Sequence, residues 1–327
     1  MKLISFEIGD EIRVGAVIDG ERSVLDLRSA LEQLLQVDGD ERARVHAEAL
    51  IPGDMTEFIK GGQTSMSYAR RVLQVVDSLG RTGRVVLPLD GVRLLAPVPK
   101  PQKVFGIGGN YPELKKTWPT PPRIPPIFQR TSSSIVGPGA DVVVPSSVTY
   151  FQPEMELCAV IGRRCRRVSE KEAYSVIAGY TIGNDLSDID VLMREWVTRK
   201  RPDLEQYGLP TEAPYNLGFA FQSKAWDTSA PTGPYLVTAD EVDPENLDLE
   251  FRVNGKLIQS GNTSEMVVKI PQMVAYLSEV CTLEPGDILF TGARGHLPPV
   301  KPGDMMEHKI TGLGSFAARC VADSVRE

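Results

Sequence analysis

Hydrophobic and polar positions alternate from the first residues. Leu3, Ser5 and Glu7 interleave with Ile4, Phe6 and Ile8, and the alternation resumes at Ile12, Val14, Ala16 and Val17. Gly9-Asp10 and Asp19-Gly20 supply turns, so residues 1–20 predict a hairpin of short strands. Val24–Leu27 predicts another strand. The spacing then changes to a helical period. Ser29–Leu35, Asp40–Leu50 and Ser65–Leu79 predict helices, the last with Met66, Ala69, Val72, Leu73 and Val76 on one face. Arg84–Leu95 returns to a strand pattern.

The proline- and lysine-rich run at residues 98–103 ends that pattern and marks a boundary between an N-terminal α/β domain, 1–98, and a second domain, 104–327. Strands and turns dominate after Val104. Val142–Val144, Glu156–Ile161, Leu247–Val253, Ile288–Phe290 and Met305–Ile310 read as strands. Asn254-Gly255, Glu284–Asp287 and Lys301–Asp304 read as turns. Two helices are expected, Ser169–Ile177, opened by the capping-box pattern Ser169-x-x-Glu172, and Ile270–Val280. Strands outnumber helices without a steady β-α alternation, so the predicted class is a mixed-sheet α+β fold.

Composition narrows the setting. Hydrophobic residues make up 42% and charged residues 24% of 327, ordinary for a folded globular chain. A net charge of −7 argues against a nucleic-acid partner. No apolar stretch approaches the ~20 residues of a membrane span, and acids interrupt any secretory core near the start. Four scattered cysteines without a CxxC pair suit a reducing cytoplasm rather than a disulfide or zinc framework. Only His46, His296 and His308 are present, which argues against a mechanism needing several imidazoles. The run Arg163-Arg164-Cys165-Arg166-Arg167 reads as a solvated turn between a strand and a capped helix.

The informative segment is Phe151–Gly162. Strand alternation puts Glu154 and Glu156 on one face. Two like charges entering an apolar strand repel and lose hydration, and a hard divalent cation relieves both costs. A solvated strand end is the plainer reading of the spacing alone. Ile177–Asp185 is a second apolar strand ending in Asn184-Asp185, which offers a third carboxylate. Three carboxylates suit Mg²⁺, with Mn²⁺ or Ca²⁺ as alternatives, better than Zn²⁺.

Taken together, eight segments resemble the fumarylacetoacetate hydrolase family. They are GIGGNY (106–111), PIFQRTSSSIVGPG (126–139), PEMELCAVIGRRCRRVSEKEA (153–173), AGYTIGNDLSDID (178–190), SKAWDTSAPTGPYLV (223–237), VNGKLIQSGNTSEM (253–266), LEPGDILFTGARG (283–295) and KPGDMMEHKITGLGSF (301–316). The resemblance implies a twisted mixed-strand roll with a smaller N-terminal domain, assembled as a homodimer. It implies that Glu154, Glu156 and Asp185 hold the metal, that Lys224 is the active-site lysine, and that Tyr111, Arg130, Thr291 and Gly292 meet a small carboxylate substrate. Arg130 stands where many members carry lysine, which keeps the charge but not the geometry.

The chain also departs from the family pattern. Leu114 and Thr117 occupy the positions of a water-activating His and Glu, and neither is a general base. Six prolines in residues 112–126 exclude the short helix expected there. Glu113 reads as a solvated loop residue, with a displaced base as the alternative. Ile189 and Leu192 replace a substrate-binding Arg and Gln, for which Arg194 or Arg199 would be substitutes. Arg294 and His296 are uncommon on the loop after Gly292, and His296 is the candidate proton carrier. The resemblance implies a metal-dependent enzyme forming a metal-stabilised enolate from a small 2-oxo or 1,3-dicarbonyl acid, with C–C cleavage of hydrolase or decarboxylase type. The alternatives are a dehydratase or isomerase, or a catalytically degenerate ligand-binding member.

Overall fold

The computed structural model describes residues 1–80, 83–113, 126–194, 196–216, 221–295 and 297–323. Its centre is a sheet of twelve strands. The main path runs Val86–Pro88, Ser23–Asp26, Glu11–Ile18, Lys2–Ile8, Ala230–Thr238, Ile177–Asn184, Met155–Ile161, Ile288–Phe290, Val104–Ile107, Ile127–Arg130. Most pairs are antiparallel, but Ile288–Phe290 and Val104–Ile107 run parallel, so the sheet is mixed, as the sequence predicted. A second, five-stranded sheet is formed by Lys256–Asn262, Asp248–Val253, Met305–Ile310, Gly314–Ala322 and Asp141–Val144.

The central strands are covered on both faces. Every residue of Met155–Ile161 and of Ala230–Thr238 is buried. Cys158 and Val160 pack with Leu31, Phe58, Ala69 and Val72 of the N-terminal helices. Leu157, Ala159 and Ile161, on the alternate parity, pack with Phe251, Met306, Ile310 and Phe316 of the five-stranded sheet. The result is three layers: helices, large sheet, small sheet. Lys2 and Leu3 pair with Val237 and Leu236, so the first strand of the N-terminal segment extends the same sheet that carries the second half of the chain.

Local chemistry explains most elements. Asp26 caps the Leu27–Val37 helix by accepting from the backbone of Arg28 and Ser29. Asn254 and Gly255 both take positive φ, 52° and 77°, which closes the tight turn between two strands of the small sheet. Two expectations fail. The expected helix Ser169–Ile177 is not formed. The Glu172 carboxylate accepts from Ser169 N and Oγ, closing a turn, and only Ala173–Val176 coils before Ile177 enters the sheet. The stretch is too short to reward nucleation of an α-helix. The expected strand Arg84–Leu95 is split into Val86–Pro88 and Arg93–Leu94 by a single 3-10 turn at Leu89–Gly91, where Pro88 offers no N–H to a ladder.

The basic run is an exposed turn, and Arg166 has a structural task there. It donates to the carbonyls of Ser278 and Glu279 at the C-terminus of the Ile270–Val280 helix, where a cation favours the helix dipole.

Candidate metal centre

Strand register builds the acidic site. Met155–Ile161 lies antiparallel to Ile177–Asn184 with Met155 opposite Asn184 and Glu156 opposite Gly183. Glu154 and Asp185 are therefore next to each other at the end of the ladder, and Asp185 N donates to Glu154 O at 2.8 Å. The carboxylates of Glu154, Glu156 and Asp185 converge, with one oxygen from each lying within 4.8 Å of the others. The pairing of the two strands, invisible in either segment alone, adds the third carboxylate to the first two.

Two buried cations face this cluster. Lys224, at the end of the short helix Phe221–Lys224, donates to Glu154 Oε2 at 2.8 Å, to Ser187 Oγ at 2.6 Å and to Asp185 Oδ2. Its ammonium sits 4.6 Å from the centroid of the Phe128 ring. Arg130, on the Ile127–Arg130 strand, donates through Nη1 to Asp185 Oδ1, and through Nη2 to Ser229 Oγ at 2.6 Å and Ser229 O at 3.1 Å.

Burial sets the protonation chemistry. Loss of hydration pushes the Glu156 carboxyl well above the usual carboxylate range, and the charges of Asp185 and Glu154 add to it. Burial also pushes Asp185 upward, but Lys224 and Arg130 outweigh it and hold that carboxyl below its ordinary value. Burial would lower Lys224. Asp185 and Glu154 reverse that, so the lysine holds its proton more tightly than usual.

A glycine loop closes one side. Thr291 is buried, and both its N and its Oγ1 donate to Leu157 O, at 3.0 and 2.9 Å. Gly292 N donates to Glu156 Oε2 at 2.7 Å. Gly292 has φ +93°, and a side chain there would place Cβ 2.5 Å from Asn110 Cβ, so only glycine fits. Asn110 is itself fixed by bonds to Val268 and Thr291. Tyr111 follows, 2% exposed; burial, then the charge of Glu156, pushes its phenol upward and keeps it protonated. Glu113 keeps 38% of its side chain exposed, as expected of a loop residue, and is also paired: Arg294 Nε donates to it at 3.2 Å while Arg294 Nη1 donates to Glu265 at 2.8 Å.

The structure thus brings together Glu154, Glu156, Asp185, Lys224, Arg130 and Gly292, with Tyr111 and Thr291 in the adjoining loops. Leu114, Thr117 and His296 lie outside the described residues. Arg194 and Arg199 are exposed, and Arg194 pairs with Asp190 at 2.7 Å. Sequence reasoning missed Ser187, Ser229 and the Asn184 amide. Ser187 lies two residues beyond Asp185, and that proximity was the only local signal.

The donor set fits a divalent metal. Lys224 and Arg130 balance two of the three carboxylates, the third, Glu156, is the one burial holds protonated until a cation replaces its proton, and the oxygen donors match Mg²⁺, Mn²⁺ or Ca²⁺.

Comparison with known proteins identifies the family. Residues 103–321 match the family described as fumarylacetoacetate (FAA) hydrolase C-terminal. The chain is 36% identical over 280 residues to the human mitochondrial oxaloacetate tautomerase FAHD2A, covering 83% of this chain and 81% of that one. Among solved structures, it is similar to maleylpyruvate hydrolase from Sphingobium sp. SYK-6 in complex with manganese(II) and pyruvate. That match has a TM-score of 0.71, 28% identity, and coverage of 98% of this chain and 99% of the other. It is also similar to 5-carboxymethyl-2-hydroxymuconate delta-isomerase from Mycobacterium smegmatis, with a TM-score of 0.68, 25% identity, and coverage of 99% and 100%.

Proposed function

The chain belongs to the fumarylacetoacetate hydrolase family, and we propose that it is a divalent-metal-dependent enzyme of enolate chemistry. Its substrate on this reading is a small 2-oxo dicarboxylic acid, and its reaction is interconversion of keto and enol forms. One observation carries the reading: Glu154, Glu156 and Asp185 converge with the Lys224 ammonium set directly against them.

When bound, the cation supplies Lewis acidity toward the carboxylate and keto oxygens of a 2-oxo acid. The chain's own residues divide the remaining work. Glu154, Glu156 and Asp185 are the ligands. Arg130 orients Asp185 from behind and anchors on Ser229. Gly292 N–H orients Glu156. Lys224, protonated and buried, places positive charge where negative charge develops on oxygen. The close approach of Asn110 to Gly292, which leaves no room for a Cβ, holds the Gly292 N–H on Glu156.

The tautomerase and isomerase branch is preferred to the C–C cleavage expected from sequence. Leu114 and Thr117 supply no base to activate water, and the human relative is named a tautomerase. The second reading is C–C hydrolysis, favoured by the likeness to maleylpyruvate hydrolase. Both are tested by following enol absorbance of oxaloacetate, and products from acylpyruvates by mass, with Mg²⁺ or Mn²⁺. Faster metal-dependent loss of enol without new acids supports tautomerisation. Release of pyruvate from acylpyruvates supports hydrolysis instead.

Mg²⁺ is proposed as the working metal with Mn²⁺ as a competent substitute. A homodimer is proposed from family resemblance, and a monomer in sedimentation at micromolar concentration would overturn it. No helix among the described residues is long and apolar enough to cross a membrane. The four cysteines are free, which suits the reducing cytoplasm proposed as the compartment.

A further inference from the structure

Asn184 and Asp185 are consecutive, yet they serve different layers. Asp185 turns to the other carboxylates. Asn184 crosses to the small sheet, where its Nδ2 lies 2.9 Å from Nε2 of His308 on the Met305–Ile310 strand. Both residues are essentially inaccessible, at 0% and 1% exposure. Nothing in the keto–enol reading uses this histidine.

Hydrogen bonds fix the orientation of each group from Glu154 through Asn184 to His308. Glu154 N–H donates to Asn184 Oδ1 at 2.8 Å. A backbone N–H can only donate, so the amide oxygen must face Glu154 and the amide nitrogen must face His308. The amide nitrogen can only donate, so His308 Nε2 must accept and carries no proton. The ring proton then sits on Nδ1, which faces the Phe316 carbonyl at 3.4 Å. The ring stacks on Phe316 at 4.4 Å and 8°, and packs at 5.0 Å from Phe251. Met306 Sδ lies 3.5 Å from the same Asn184 nitrogen.

We propose that His308 is a positioning residue of the metal centre: through Asn184 it locks the amide orientation that holds the Glu154 backbone in ligating register. Glu154 is held at both of its peptide groups by the Asn184-Asp185 pair, its N–H by Asn184 Oδ1 and its C=O by Asp185 N. Without the His308 acceptor the buried Asn184 NH₂ keeps only the weak acceptor Met306 Sδ, so the amide shifts to find another partner and loosens its hold on the Glu154 N–H. Groups that orient a ligand through hydrogen bonds typically change metal affinity by 10–100-fold. His308 acts one bond further out, so a loss near the lower end is expected.

The inference rests on the metal-site reading, and the test separates the two. Mn²⁺ affinity of the full chain is measured by electron paramagnetic resonance titration for the wild type, His308→Leu and His308→Gln. The expected result is ~10-fold weaker binding in His308→Leu, with most of the loss restored in His308→Gln, whose side-chain oxygen accepts from Asn184. A folded His308→Leu protein that binds Mn²⁺ like the wild type overturns the inference alone. A wild type that takes up no Mn²⁺ overturns the metal reading and this inference together. If His308→Leu does not fold, ¹⁵N resonances of the wild-type imidazole decide: a protonated Nδ1 with a bare Nε2 supports the inference, and a protonated Nε2 overturns it.

Discussion

Arg130 and Asp185, 2% and 1% exposed, form an ion pair closed off from solvent, and the second guanidinium nitrogen of Arg130 is held by Ser229. Removing one partner of such a pair strands the other, a cost of about 3–5 kcal/mol. Lys224 still faces Asp185, so Arg130→Met is expected to cost about 3 kcal/mol in urea unfolding. Arg130→Lys keeps the charge but loses the fork that reaches both Asp185 and Ser229, so it is expected to fall between the wild type and Arg130→Met. Equal stability of Arg130→Lys and wild type would show that charge alone matters.

Metal uptake should strengthen with pH. The Glu156 carboxyl is raised by burial and by its two acidic neighbours, so its proton must leave before the group can ligate. Mn²⁺ affinity measured by calorimetry between about pH 5 and 8 is expected to rise with pH. Without metal the sign is opposite: a carboxyl raised in the folded state loses stability as pH climbs past its unfolded value. Glu156→Gln should therefore abolish Mn²⁺ uptake while leaving metal-free stability at neutral pH unchanged or higher.

His308 gives acid sensitivity of the other sense. Burial lowers its pKa to about 3 from an ordinary 6.5, opposed only by the Phe316 carbonyl. The unfolded chain binds the proton first, so stability is full above about pH 6.5 and is lost as pH falls toward 3, by up to ~1.4 kcal/mol per unit. His308→Gln should flatten that part of the pH–stability curve. An unchanged slope would assign the acid loss to other groups.

The roles of Lys224 and His296 separate kinetically. Lys224→Met under saturating Mn²⁺ is expected to lower kcat/KM by about 10²–10³-fold, the scale of one preorganised electrostatic donor. His296→Ala should cost ~10²-fold if His296 carries the proton. A wild-type rate in His296→Ala would remove it from the mechanism.

Some features were legible because their cause is local. The helix Ile270–Val280 follows from its own apolar period, and the Asn254-Gly255 turn from two residues able to take positive φ. The Glu154/Glu156 pair is readable from strand alternation. Ser169–Ile177 was misread because a capping pattern reports only the first turn. The neighbouring strand at Ile177 claimed the chain before a helix could propagate.

The sequence by itself determined the alternation, the turns and the residue types of the acidic site, since these depend on neighbours within a few positions. Tertiary structure decided which groups share one environment. Asp185 reaches Glu156 because two strands pair in one register. Arg130 closes on Asp185 from 55 residues away and is itself held by Ser229, 99 residues from Arg130. Asn184 finds His308 124 residues away, across two sheets. Such contacts leave no local period, because sheet register and layer packing, rather than sequence spacing, bring those atoms within hydrogen-bonding distance.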